Sequence, residues 1–376
     1  MFNCPIGQIE LNMEAITYIV FAFALVQLAV SLINLVFRQR LPKAATEPIE
    51  LVSVLIPARN EEQNIGNLLS DLKECHQNIE VLVYNDQSTD QTASIVEEIS
   101  QTDPRVQLLH SDGLPENWTG KNHACYSLSQ KAKGQYLLFL DADVRITSEI
   151  IPQCIAMMKS QNLALLSIFP QQVMKTRGEK LTVPVMNYVL LTLLPLILVK
   201  KLAFPSLSAA NGQFMLFNAE TYKKWQPHRY IRNKRVEDIA IARFFKHNKA
   251  KIACLTGTDH IRCRMYTGYS DAMNGLSRSV LMFFGNSAPV AILFWLITTL
   301  GFLMVAFTAP WQILIIYLLI LGAIRVIVSM SSRQAVVTNL IWGFVQKINL
   351  GIMIGKAIRS RSLKTLEWKG RAVPSS

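Results

Sequence analysis

Two carboxylates one residue apart, Asp141 and Asp143 in "YLLFLDADVRITSE", follow an apolar run that reads as a buried strand. Aspartates in this spacing at the open end of a strand can hold one hard divalent cation, magnesium or manganese. The cation would grip two phosphate oxygens and neutralise charge on a leaving diphosphate, as a nucleotide-sugar donor requires. A second acidic pair, Glu237 and Asp238, stands in "RVEDIAIARFF" at a predicted helix start. Direct displacement at an anomeric carbon needs one carboxylate, distinct from those on the metal, to take a proton from the acceptor hydroxyl. The same pair would also interact favourably with a helix dipole, and the residues alone leave both readings open.

Such groups need a scaffold that brings strand ends to one rim. The chain supplies it by alternation: "LVSVLIP" reads as a strand, "EEQNIGNLLSDLKECH" as a helix, "IEVLVYND" as a strand and "QTASIVEEISQ" as a helix. "VQLLH", "NHACYSLSQKA" and "QYLLFL" continue as strand, helix and strand. This is the β-α-β rhythm of an α/β domain, with helices on the faces of a parallel sheet and ligands at the carboxyl ends of the strands. At those ends lie "PARNEE" (Pro57–Glu62), "NDQSTDQT" (Asn85–Thr92) and "DADV". Each has an ordinary alternative, with Asn60 or Ser88 as a helix cap, Asp90 in a turn and Asp141 in a solvated loop. All three at one rim, in this order, point to a site.

The rest of the chain is suited to a membrane. Of 376 residues 51% are hydrophobic and only 17% charged, more apolar surface than a soluble α/β domain carries. "AITYIVFAFALVQLAVSLINLVF" (residues 15–37) is long enough to span as an anchor, within an N-terminal segment 1–43 that ends in Arg38, Arg40 and Lys43. The run exceeds the apolar core of a signal peptide, and Glu10 and Glu14 precede it where positive charge would be expected. Residues 288–330 form two apolar runs divided by Pro310, a predicted transmembrane hairpin. Arg325 and Arg333 towards its far end, with Arg38, put the intervening domain, 50–285, in the cytoplasm by the positive-inside rule. The chain reads as a multi-pass protein of the cell membrane.

Two further apolar stretches suit interfacial helices better than clean spans. Residues 181–204 are interrupted by Pro184 and Pro195, and 334–376 carry Gln346, Lys347 and Asn349 before a basic tail. The net charge of +12 flanks these runs and is explained by topology and anionic lipid. No nucleic-acid motif competes with that reading. The six cysteines show no metal-ligand or disulfide spacing and read as core residues.

The ordered blocks "VLIPARNEEQNI", "VLVYNDQSTDQT", "LPENWTGKNHAC", "YLLFLDADV", "NGQFMLFNAETY" and "RVEDIAIARFF" resemble the cytoplasmic domain of a family 2 glycosyltransferase. "NWTGKNHA" and the closing "LEWKGRAV" resemble the membrane-bound subgroup acting on carotenoids and other polyisoprenoids, with its hopanoid-pathway relatives. The resemblance implies a GT-A fold and an inverting reaction. It makes Pro57, Arg59, Asn60 and Glu61 a nucleotide-facing loop, and matches Asp86 to the aspartate at the uracil edge. It sets Lys121 against the diphosphate, Asp143 with Asp141 on a divalent metal, and Asp238 as general base with Glu237 beside it.

Gly212 and Gln213 in "AANGQFML" resemble an acceptor-side turn, though Gly-Gln before a strand is also an ordinary turn. Trp118 suits either stacking on a base or covering the core, and His123 reads as a helix-surface residue. Trp368 and Arg371 could close over donor phosphates or anchor the tail at the interface. Processive relatives carry a Q/RxxRW block that "YSDAMNGLSRSVLMFFGN" lacks, which favours transfer of a single hexose over polymer synthesis. The implied partners are a nucleotide-sugar donor, read as UDP-linked from Asp86, and a lipid acceptor. Apolar surface discriminates poorly among chains, so a carotenoid, hopanoid, polyprenyl phosphate, diacylglycerol or sphingolipid would fit.

Overall fold

Strands that are apolar without interruption must be covered on both faces, and the sheet they build here is. The computed structural model describes residues 5–43, 50–75, 78–363, 367–368 and 371–372. Its strands are β1 (Val52–Ala58), β2 (Ile79–Asn85), β3 (Val106–His110), β4 (Tyr136–Leu140) and β5 (Val144–Ile146). They continue as β6 (Leu165–Phe169), β7 (Gln171–Gln172), β8 (Phe214–Asn218), β9 (Ile252–Thr256) and β10 (Ile261–Cys263). Seven form one sheet in the order β3-β2-β1-β4-β8-β6-β9. All neighbours are parallel except β8, which runs against both β4 and β6. A smaller sheet, β5-β10-β7, follows from the rim.

Alternate residues of β1 and β4 divide between the two faces. Val52, Val54, Ile56, Leu138 and Leu140 join one buried cluster, while Leu55, Leu137 and Phe139 are buried on the other side. The helix Ile65–Lys73 lays Ile65, Leu68, Leu69 and Leu72 on the first face, a 3.6-residue stripe. The sequence predicts this helix from Glu61; it begins at Ile65, and the residues before it form part of the loop after β1. Glu61 N–H donates to Thr92 Oγ1 at 2.8 Å and Glu62 N–H to Asp90 Oδ2 at 3.1 Å, tying the loop after β1 to the loop after β2.

The chain divides into two units. The sheet belongs to one, which includes Arg38–Val173 and Leu196–Met265. The other gathers the helix Pro5–Val36 with Met174–Pro195 and Tyr266–Leu363. Among its described residues three helices are long and apolar enough to cross a membrane: Met13–Val36, Ala288–Thr308 and Trp311–Ser331. The interrupted stretch 181–204 contributes to both units. Its helix Pro184–Leu193 starts on one proline and stops short of the next, and Leu196–Lys201 follows on the sheet side.

The polar residues of the last apolar stretch are spent inside the helical unit. Gln346, on the helix Gly343–Leu363, accepts from Arg325 Nη1 at 2.9 Å and donates to Asn339 Oδ1 at 3.1 Å, and Lys347 Nζ donates to Thr298 O at 2.6 Å. Arg325 also lies 4.0 Å over the Tyr188 ring. Buried polar groups among apolar helices persist only when partnered in this way. Five cysteines, at 75, 125, 154, 254 and 263, are buried and unpaired with one another; Cys4, Lys364 and Lys369 lie outside the described residues.

Candidate active site

The carboxyl ends of β1, β2 and β4 form one rim, and hydrogen bonds lace the first two ends together. Asn60 takes a left-handed backbone conformation (φ 53°), which asparagine tolerates better than most side chains. This lets its Oδ1 accept from Thr89 N–H at 2.9 Å while its own N–H donates to Ser88 Oγ at 3.0 Å. Arg59 Nη1 donates to the Asp86 carbonyl at 2.6 Å, and Asp86 N–H continues the ladder to Ala58 O at 2.8 Å. Asp86 is buried at the base of this double loop. Pro57 lies within β1 rather than in the loop beyond it.

Past β4, five charged side chains converge. Lys121 is the second residue of the helix Gly120–Lys131, whose first turn is capped by Thr119. Its Nζ lies 2.7 Å from Asp141 Oδ1 and 2.8 Å from Glu237 Oε1, so one ammonium bridges the two acidic pairs. Asp238 turns the other way: Oδ2 accepts from Gly212 N–H at 3.1 Å and Oδ1 from its neighbour Ile239 N–H at 2.7 Å. Asp143 points at Gln213, whose Nε2 lies 3.5 Å from Oδ2 and 2.8 Å from Cys263 Sγ. Asp143 Oδ1 is buried with no hydrogen-bond partner.

Electrostatics separate these carboxylates into two kinds. Burial, then the charge of Glu237, pushes Asp238 up to about 7. Burial, then Asp141 and Glu61, pushes Asp143 up to about 7 as well. Burial acts on Glu237 in the same sense, but the Lys121 ammonium outweighs it and holds Glu237 below the usual carboxylate range. Burial alone would lower Lys121; Asp141 and Glu237 more than reverse this and keep it charged. The site therefore combines an ionised Lys-Glu pair with two carboxylates poised near neutrality, an arrangement associated with catalytic groups.

Gly212 makes this proximity possible. A Cβ built there would stand 2.7 Å from Glu237 Oε1 and 3.2 Å from Lys121 Nζ. Gly212→Ala is expected to push the Glu237 head group off Lys121 with little effect on the fold, and to lower turnover by about 10- to 100-fold through misplaced charges. Turnover within twofold of wild type would show that the close approach is not required.

Among the described residues no group of three or more His, Cys, Asp or Glu is arranged to hold a metal. Asp141 and Asp143 nonetheless fit one. The pair offers only oxygen ligands, one oxygen of Asp143 is buried and orphaned, and magnesium is commonly held by one or two carboxylates plus substrate phosphates.

Several positioning residues carried no sequence signal. Asn122 Nδ2 donates to the carbonyls of Ile231, Arg232 and Lys234 at 3.0, 3.2 and 2.9 Å, fixing the loop that delivers Glu237. Asn211 accepts from Gln213 N–H at 2.9 Å, and its own N–H donates to Ser167 Oγ at 2.7 Å. Trp118, in the loop before the helix Gly120–Lys131, packs on that helix, with ring centroids 5.5 Å from His123 and 5.2 Å from Tyr126. Trp368 and Arg371 face each other in a two-stranded antiparallel ladder.

Residues 53–196 match the family model described as Glycosyl transferase family 2. The chain is 26% identical over 267 residues to a 4,4'-diaponeurosporenoate glycosyltransferase of Staphylococcus haemolyticus, covering 68% of each sequence. It is 28% identical over 252 residues to the enzyme of that name from Staphylococcus aureus, covering 65% of each. A mannosyltransferase of Pyrobaculum calidifontis, solved with GDP-Man and Mn2+, superposes with a TM-score of 0.57 at 15% identity, over 93% of this chain and 98% of that one. The fold is thus of the GT-A kind, flanked by apolar helices.

Proposed function

We propose that this chain, a family 2 glycosyltransferase resembling the carotenoid glycosyltransferases, moves a single hexose from a UDP-sugar to a membrane lipid, a carotenoid or related polyisoprenoid, with inversion at the anomeric carbon. The observation that carries this reading is the rim cluster, in which Asp238 is poised near neutrality beside the Lys121–Glu237 pair and apart from the Asp141–Asp143 pair. Asp238 is thus placed to take a proton while Asp143 and Asp141, the latter paired here with Lys121, would hold a cation, the division of labour that direct displacement requires. The relatives' printed name, 4,4'-diaponeurosporenoate glycosyltransferase, supports the acceptor class.

In this mechanism the Arg59–Glu61 loop and Asp86 receive the nucleoside. Asp141 and Asp143 would hold a divalent cation, which when bound would neutralise charge on the leaving diphosphate. Asp238 accepts the proton of the acceptor as its oxygen attacks the anomeric carbon, on the face opposite the departing diphosphate. Its two hydrogen bonds, from Gly212 and Ile239 N–H, fix the carboxylate against rotation. Glu237, kept ionised by Lys121, raises the affinity of Asp238 for that proton.

The lipid test is mass spectrometry of a carotenoid-producing host with and without the protein. A lipid heavier by one hexose is expected; no glycosylated lipid, or a ladder of increments, would overturn the reading. Arg38, Arg40 and Lys43 after the first apolar helix favour a catalytic domain on the cytoplasmic side. A cysteine introduced at exposed Glu98 should then react in intact cells only with a membrane-permeant reagent. Labelling by an impermeant reagent would reverse the orientation.

A further inference from the structure

Lys121 holds more of Asp141 than an ion pair needs. Its ammonium is 2.7 Å from Oδ1 and 2.9 Å from Oδ2 of Asp141, facing both oxygens that a cation would use, and it reaches Glu237 Oε1 at 2.8 Å. We propose that Lys121 is the internal counter-cation of the nucleotide-free site: it competes with the divalent cation for Asp141 and passes to the donor diphosphate when metal and donor arrive together. The inference rests on the metal assignment in the proposed function and adds an order to it.

The physical case has three parts. Asp141 and Glu237 sit at a partly desolvated rim, where a carboxylate without a partner is costly, so an empty site needs a cation of its own. A divalent ion entering against Lys121 meets a unit positive charge a few ångströms away, an interaction worth far more there than in water. A diphosphate removes that obstacle by giving the ammonium a new anion. Lysine suits the exchange because its compact charge sits on a flexible four-carbon stem, and Gly212 leaves open the space beside both head groups that a Cβ would fill. Metal and nucleotide are therefore coupled, each raising the affinity for the other by the same factor, about 5- to 150-fold for couplings of ordinary size.

The test is Mn2+ binding, followed by electron paramagnetic resonance on the detergent-solubilised full chain. It is run without nucleotide, with UDP and with GDP. Lys121→Gln is neutral yet still able to hydrogen-bond both carboxylates, and Lys121→Arg keeps the charge and controls for folding. Without nucleotide, Lys121→Gln should bind Mn2+ about tenfold or more tightly than wild type, whereas Lys121→Arg should stay within about threefold. The gain in Mn2+ affinity that nucleotide confers on wild type should shrink in Lys121→Gln. Equal or weaker nucleotide-free binding by Lys121→Gln, with Mn2+–nucleotide binding to wild type intact, would overturn this inference alone. No Mn2+ binding to wild type with either nucleotide would overturn the metal assignment and this inference with it.

Discussion

Asp238→Asn is expected to lower turnover by about 10² to 10⁴ while the variant still binds nucleotide diphosphate with metal as wild type does. Asparagine keeps the shape but cannot take a proton, and the cation ligands Asp141 and Asp143 are untouched. The substitution does cost one contact: the two Asp238 oxygens each accept a backbone N–H, from Gly212 and Ile239, and asparagine has a single acceptor oxygen. A loss of about 1–3 kcal/mol in stability should accompany the loss of rate. Because burial and Glu237 hold the carboxyl at about 7, the base form disappears as pH falls through 7, and wild-type turnover should fall about tenfold per unit below that. The stability effect has the opposite sense. The folded state binds this proton more tightly than the unfolded chain, so the Asp238 contribution is greatest at low pH and is lost as pH rises from about 4 to 7. Asp238→Asn should remove that slope. Near-normal turnover, or loss of nucleotide binding along with activity, would make Asp238 a cap or a donor ligand and move the base to Glu237.

The sheet was legible because its strands are apolar on both faces: "VSVLIPA" and "YLLFL" can be buried only between covering layers, and the loops between them carry their turn residues openly. The antiparallel insertion of β8 between β4 and β6 was not, since "FMLFN" has the same buried pattern in either direction. Asp141, Asp143, Glu237 and Asp238 could be picked out as pairs by spacing. The ion pair that joins them could not, because Lys121 is 20 residues from Asp141 and meets Glu237 only after the chain has crossed the sheet. Gly212 looked like a turn; its reason is the Cβ that Glu237 would not tolerate. Asn122 is silent in sequence because a helical asparagine is usually solvated, whereas here its amide binds three carbonyls. Gln346 and Lys347 argued against a clean span, and the partners they find, Arg325, Asn339 and the Thr298 carbonyl, lie on other helices where no local pattern shows them.

Asp143→Ala should abolish turnover and leave a protein at least as stable as wild type. A bound cation typically supplies several kcal/mol of charge stabilisation to a departing diphosphate, so a site that cannot hold it should lose about 10³-fold or more. The stability half of the expectation comes from what Asp143 does in its absence. Oδ1 is buried with no hydrogen-bond partner, the carboxyl otherwise meets only Gln213 Nε2 at the limit of bonding distance and the weakly donating Cys263 thiol, and burial holds it up at about 7. Removing a buried acceptor that is not satisfied relieves a desolvation penalty of about 1–3 kcal/mol. Against this stands only the volume of one small side chain at a rim, so thermal unfolding of Asp143→Ala should occur at or above the wild-type temperature. An active site that stores instability in a group needed for chemistry has this signature, and a structural carboxylate has the reverse. An inactive Asp143→Ala with a clearly lowered unfolding temperature would make the residue a support for the turn between β4 and β5. Wild-type turnover by the variant in excess chelator would remove the metal from the mechanism and leave Lys121 as the cation facing the diphosphate.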